Sequence, residues 1–210
     1  MVGVWMGYLV LNWPDIMVGS IELTKKIANS HYIPDMVVGI FRNGWILAKL
    51  VSDLLGVDEV GGIGIKFYKG IGETRERPLV TSGPTLSPRE KRVLVVDDVS
   101  DTGRTLQTAI ELIKLYGAKE VRTATLYVKP KTILYPDYHY GETSDWIVFP
   151  WEYGEVIREV SRTLYGDTDP SSIEKAAERI GIKDRDFIKA LAVIEENRAG
   201  AKGSSSSRNR

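Results

Sequence analysis

Asp97 and Asp98 are adjacent carboxylates at the end of an aliphatic run, Val93-Leu94-Val95-Val96, and Asp101-Thr102-Gly103-Arg104-Thr105 follows closely. Two acids side by side offer hard oxygen ligands to Mg2+ or acceptors to sugar hydroxyls. The segment after them ends in an amphipathic pattern. A loop leading into a helix N-terminus presents N–H groups and a positive dipole end to an anion. Hydroxyls at Thr102 and Thr105 add donors. Together these residue types suit a sugar phosphate.

Such a cluster needs a strand to carry it and a helix to follow it. Val93 to Val96 reads as a strand buried on both faces, and Leu106, Ala109, Ile110 and Ile113 share one helical stripe that stops at Gly117. The same strand–turn–helix order recurs upstream. Met36 to Phe41 is a continuous apolar strand, Arg42-Asn43-Gly44 breaks it, and an apolar-periodic helix runs to Leu55 before Gly56. Further strands are expected at Tyr8–Leu11, Val60–Tyr68, Val121–Val128, Tyr138–Tyr140 and Trp146–Phe149, with an early helix to about Asn29. Residues 69–91 show no period and read as a long loop, either functional, often a lid, or disordered. Alternating strands and helices predict a mostly parallel twisted sheet flanked by helices, and ligands bind such sheets outside the carboxyl ends of the strands.

Composition bounds the rest. The 210 residues suffice for one well-packed domain and a small appendage. Lys plus Arg equals Asp plus Glu, 28 each, so no global basic field favours nucleic acid. No apolar run approaches the roughly 18–20 residues that span a membrane, and Met1-Val2-Gly3-Val4-Trp5 does not read as a signal peptide. Cysteine is absent, which excludes disulfides and thiolate chemistry and fits a cytoplasmic enzyme. His31 and His139 form no metal spacing.

The stretch Val93–Thr105, an aliphatic strand, two acids and then Asp-Thr-Gly-x-Thr, resembles the phosphoribosyl-diphosphate (PRPP) signature of the type I phosphoribosyltransferases. Other segments match the same family in order. Val38 to Gly44 resembles the pyrophosphate loop, and residues 66–91 stand where the family has its flexible loop. Val128-Lys129-Pro130 and Asp145 to Glu152 resemble the base-binding elements of the xanthine-guanine and hypoxanthine transferases. The resemblance implies that fold over residues 1–158, with a small base-binding hood; beyond it the apolar stripe Ile173, Ala176, Ala177 and Ile180 predicts a helical C-terminal extension over 159–198, and composition predicts a disordered, Gly/Ser-rich tail over 199–210.

It also implies a reaction: a purine displaces pyrophosphate from PRPP to give a nucleoside 5′-monophosphate. In that scheme Asp97 and Asp98 hold the ribose hydroxyls and Mg2+, directly or through water. Asp101, Thr102, Gly103, Arg104 and Thr105 cradle the 5′-phosphate. Asp101 either takes a proton from purine N7 or only caps the next helix. Arg42, Asn43 and Gly44 hold the diphosphate, with Asn43 standing where the family often has glycine. Lys66, Tyr68, Lys69, Arg75 and Arg77 are the cations and phenol that could close over it. Lys129 donates to a 6-oxo group, Trp146 stacks on the base, the Ile147 backbone reads its edge, and Glu152 reads a 2-amino group or begins the next helix. An ammonium facing the 6-amino group of adenine leaves a donor unsatisfied, on the order of 1–3 kcal/mol. The favoured substrates are hypoxanthine, guanine or xanthine; the alternative is an adenine transferase on the same frame. A homodimer is expected by resemblance alone. The helix–Gly–helix pattern at 169–195 admits a PRPP-sensing DNA-binding regulator, but acids outnumber bases there, which opposes a phosphate-facing surface.

Overall fold

The computed structural model describes residues 7–68 and 77–206. Two compact units divide the chain: Pro14–Ser144, and Met1–Trp13 together with Asp145–Arg210.

The larger unit contains a six-stranded sheet in the order β4-β3-β2-β5-β6-β7. Its strands are β2 (Met36–Phe41), β3 (Val60–Tyr68), β4 (Arg77–Ser82), β5 (Arg92–Ser100), β6 (Glu120–Val128) and β7 (Tyr138–Glu142). All neighbours are parallel except β3 and β4, which are antiparallel. Helices cover both faces. Met36, Val38, Ile40, Val93 and Val95 project to one side and pack on Leu106, Ala109 and Ile113 of α3 (Arg104–Leu115). On the other side α2 (Gly44–Leu55) lies on β2 so closely that a Cβ on Gly39 would stand 2.7 Å from the Trp45 Cα. Gly19 of α1 (Trp13–Asn29) packs likewise on Leu126 of β6 and Tyr140 of β7. Burial on both faces explains why β2 and β5 read as unbroken apolar runs.

The segment after β3 differs from the sequence expectation. Arg77–Ser82, expected within a long loop, is strand β4, paired with β3 in the register Lys66↔Leu79 and Tyr68↔Arg77. Its side chains are nearly all exposed and it carries Pro78, so neither alternation nor an apolar run marks it. Pro is tolerated because the strand is at a sheet edge. The glycines of β3 make room for neighbours. A Cβ on Gly62 would meet the Phe41 ring at 2.1 Å, and one on Gly64 would meet Ser82 Oγ at 2.4 Å.

In the other unit β1 (Tyr8–Val10) pairs in parallel with β8 (Trp146–Val148), register Tyr8↔Trp146. A short 3-10 turn, Pro150–Glu152, leads to α4 (Tyr153–Tyr165), α5 (Pro170–Ile180) and α6 (Arg185–Ser206). Val148, Tyr153, Ile157, Ile173, Ala177 and Leu191 form its core. This shared core places β8 with α4–α6. Asp169 caps α5 by accepting from the Ser172 N–H at 2.7 Å, and Gly181 ends that helix at φ +94°. Helix α6 continues to Ser206, past Ala199, where composition had suggested a disordered tail. No described helix is long and apolar enough to cross a membrane.

Candidate active site

β5 delivers Asp97 and Asp98 to the carboxyl end of the sheet, both largely buried at 9% and 6% exposure. The side chains are held by local bonds. Asp97 Oδ1 accepts from the Asp98 N–H at 3.0 Å, and Asp98 Oδ1 accepts from the Val99 N–H at 2.8 Å. Burial and the adjacent Asp98 carboxylate push Asp97 well above the ordinary carboxylate range. Burial pushes Asp98 up to about 6, against the opposing hydrogen bonds from the Val99 N–H and the Asn43 side chain. Two like charges in a desolvated place are a costly arrangement for the ligand-free protein.

Ser100 to Gly103 turns the chain into α3. Gly103 is left-handed, φ +78°, and precedes the helix without a side-chain cap. A Cβ there would stand 2.6 Å from both the Leu134 N and Thr132 Oγ1, so only glycine fits. Gly103 holds the N-cap position, and the Asp101 carboxylate pairs with Lys131 Nζ at 3.0 Å. A cavity of about 330 Å³ opens here, lined by Asp97, Asp98, Asp101, Thr102, Gly103 and Thr105 among others. Larger hollows along α5–α6 and between the ends of α1 and α2 lack this conjunction of an acid pair with an uncapped helix start.

The β2–α2 turn completes the cluster. The Phe41–Arg42 peptide is cis. Arg42 is exposed and Gly44 buried. A Cβ on Gly44 would lie 2.7 Å from both Asp97 Oδ1 and the Val96 carbonyl. The Asn43 side chain bonds to Asp98. The turn thus lies against the acid pair, through contacts the sequence did not announce.

Lys129 follows β6 and is buried, 8% exposed. Its N–H donates to the Ser100 carbonyl at 3.0 Å, and the Ile133 N–H to that of Thr102 at 3.0 Å. Ser100 Oγ bonds Thr132 Oγ1 at 2.8 Å. The loop after Lys129 and the loop after Asp98 are therefore fastened together. Sequence reasoning missed Lys131, Thr132 and Leu134; nothing in their spacing marks them.

The remaining residues fall elsewhere. Lys66 and Arg77 are exposed on the β3–β4 ladder, and Tyr68 ends β3. Lys69 and Arg75 lie outside the described residues. Trp146, Ile147 and Glu152 belong to the smaller unit: Trp146 half-exposed on β8, Ile147 buried opposite Leu9, and Glu152 at the end of the 3-10 turn.

Comparison with known proteins agrees with this geometry. The phosphoribosyl transferase domain family matches residues 9–158. A xanthine-guanine phosphoribosyltransferase of Cereibacter sphaeroides is 36% identical over 120 residues, covering 55% of this chain and 68% of that protein. Its counterpart in Gluconobacter oxydans is 25% identical over 147 residues, covering 69% of this chain and 84% of the relative. The crystal structure of a purine phosphoribosyltransferase from Pyrococcus horikoshii superposes with a TM-score of 0.63 at 40% identity, over 70% of this chain and 94% of that one. With the family matched across well over half its length, and the acid pair and uncapped helix start in place, the chain belongs to the phosphoribosyltransferases.

Proposed function

We propose that this phosphoribosyltransferase transfers the 5-phosphoribosyl group of PRPP to N9 of a 6-oxopurine, releasing pyrophosphate. The observation that carries the reading is the buried pair Asp97–Asp98 beside the uncapped start of α3, with Lys129 on the adjoining loop. The relatives named for xanthine-guanine and purine substrates support it.

The 5′-phosphate seats on the backbone N–H groups at the start of α3 and the hydroxyls of Thr102 and Thr105. Asp97 and Asp98 accept from the ribose hydroxyls. The C1′–O bond to the diphosphate breaks with its electron pair leaving on oxygen, and N9 supplies the pair that forms the new C1′–N bond. Asp101 takes the proton from N7, so no net charge accumulates on the base. Arg42 and the backbone of Asn43 and Gly44 hold the departing diphosphate. Lys129 donates to O6 and thereby disfavours adenine. Trp146 offers an indole face for stacking.

Asp97 and Asp98 fit Mg2+. They are hard oxygen donors whose mutual repulsion a divalent cation relieves. Among the described residues no group of three or more potential ligands forms a dedicated cage, which suits a metal that keeps waters and shares substrate oxygens. Bound there, Mg2+ would neutralise charge on the diphosphate.

The test is turnover of PRPP and Mg2+ with adenine, hypoxanthine, guanine and xanthine in turn. Nucleotide formation from 6-oxopurines is expected. Turnover of adenine alone overturns the assignment of the base.

A further inference from the structure

Lys131 lies in none of the roles above, yet its ammonium stands 3.0 Å from Oδ1 of Asp101, the carboxylate assigned to purine N7. The side chains are 65% and 48% exposed. A pair so open to water is weak and opens at little cost. The backbone beneath it is the opposite. Lys129, Thr132 and Ile133 are tied to Ser100 and Thr102 by backbone and hydroxyl bonds of 2.8–3.0 Å, and Gly103 is in contact with Leu134 and Thr132. Lys131 is thus an exposed cation on a hydrogen-bonded root beside the loop Asp101–Thr105.

We propose that Lys131 is a positioning residue that occupies Asp101 in the ligand-free protein and transfers to the 5′-phosphate when that loop fills, so that a purine gains Asp101 only after PRPP has bound. The inference rests on the reading of Asp101–Thr105 as the phosphate loop and of Asp101 as the proton acceptor. Three considerations carry it. A phosphate dianion offers twice the charge of a carboxylate and more acceptor oxygens, so the ammonium prefers it once both are present. The four-carbon stem of a lysine lets the head move while its Cα stays fixed. While the ammonium sits on Oδ1, an arriving N7–H must compete with a charged donor for the same carboxylate. Base binding and phosphate binding are then coupled through one side chain, and that coupling is reciprocal.

The test is calorimetric titration of the full-length protein with ribose 5-phosphate and, separately, with hypoxanthine alone, for wild type, Lys131→Met and Lys131→Arg. Both substitutions are at an exposed position. Lys131→Met is expected to bind ribose 5-phosphate roughly threefold to thirtyfold more weakly, with a shallower salt dependence. It is expected to bind hypoxanthine about twofold to fivefold more tightly, the competing pair having been removed. Lys131→Arg, which keeps the charge, is expected to restore much of the ribose 5-phosphate affinity. A general disturbance of the site would weaken both ligands and would not be rescued by arginine; that result overturns the proposal. So does unchanged ribose 5-phosphate affinity in Lys131→Met, or weakened phosphate binding with unchanged hypoxanthine binding. PRPP consumption by the wild type, with any purine, separates these outcomes from failure of the underlying reading. If no purine supports turnover, the functional assignment is what fails.

Discussion

Gly44 and Asp97 touch: the backbone of the β2–α2 turn lies against the carboxylate, and a Cβ on Gly44 would stand 2.7 Å from Asp97 Oδ1 and 2.9 Å from its Cα. Both neighbours are fixed, one by the sheet and the other by its hydrogen bond to the Asp98 N–H. Gly44→Ala must therefore push the turn and β5 apart. Overpacking of this kind costs about 1–3 kcal/mol. The expected outcome is a lowered Tm together with a raised KM for PRPP, since the displaced turn carries Arg42 and Asn43. A variant with unchanged Tm and KM would show that the contact is slack.

The acid pair predicts a conflict between stability and activity. Burial raises Asp98 to about 6 in the folded protein, against an ordinary value of 3.8. A group raised on folding stabilises the fold fully below its unfolded value and loses that contribution as pH rises through the folded value. The contribution of Asp98 is thus complete near pH 4 and gone above about pH 7. Asp98→Asn removes the titration and the buried charge while keeping the shape. Urea unfolding at neutral pH should show a gain on the order of 1–3 kcal/mol over wild type. The gain should vanish toward pH 4, and PRPP turnover should fall by at least about a hundredfold through loss of transition-state stabilisation. Equal stability of the two proteins at neutral pH would contradict the cost assigned to the pair.

Much of this site is legible in the sequence because its parts are contiguous. Val93–Val96 reads as a buried strand, and Asp-Thr-Gly before an amphipathic stripe as a turn into a helix, so the start of β5 and the whole of α3 are readable to within a residue or so, while β5 runs four residues past Val96, to Ser100. What escapes is whatever depends on distant segments meeting. Lys131 and Asp101 are thirty residues apart and gain their relation only when β5 and β6 pair. Strand β4 escapes because an exposed edge strand needs no apolar pattern. The glycines of β3, which by propensity weaken a strand, are there because Phe41 and the β4 hydroxyls fill the space above them. Asn43 reads as a departure from the family's glycine, and only its bond to Asp98 gives it a physical reason.

Lys129 should govern the choice of base more than the rate of transfer. It is buried, and its backbone is fixed to Ser100, so the ammonium has a defined root. Lys129→Ala removes the donor assigned to O6 but leaves Asp101 and the acid pair intact. The expected result is a fall in kcat/KM of roughly tenfold to a hundredfold for hypoxanthine and guanine, with a smaller loss for adenine. Equal losses for all purines would place Lys129 in the fold or on a phosphate instead.

The three-helix unit has its own keystone. Glu195 of α6 is 6% exposed and its Oε1 accepts from Arg158 Nε at 2.7 Å and Arg198 at 2.8 Å, while Oε2 meets Thr168 Oγ1 at 3.2 Å. Burial alone would raise its carboxyl, but the bonds and charge of Arg158 outweigh burial and hold it below the ordinary range. One residue thus joins α6 to α4 and to the turn before α5. Glu195→Ala leaves the Arg158 guanidinium, itself largely covered, without its partner, and breaking such a pair by removing one side costs about 3–5 kcal/mol when buried. Partial exposure of Arg158 and Arg198 reduces that to about 2–3 kcal/mol. Hydrogen exchange should locate the loss, with faster exchange across residues 153–198 and little change in β2, β5 and β6. Because the group is lowered on folding, its contribution is present above the unfolded carboxylate value and fades as pH falls below it. The difference between Glu195→Ala and wild type should therefore shrink below about pH 4. Uniform exchange across the whole chain would show that these helices do not unfold as a separate unit.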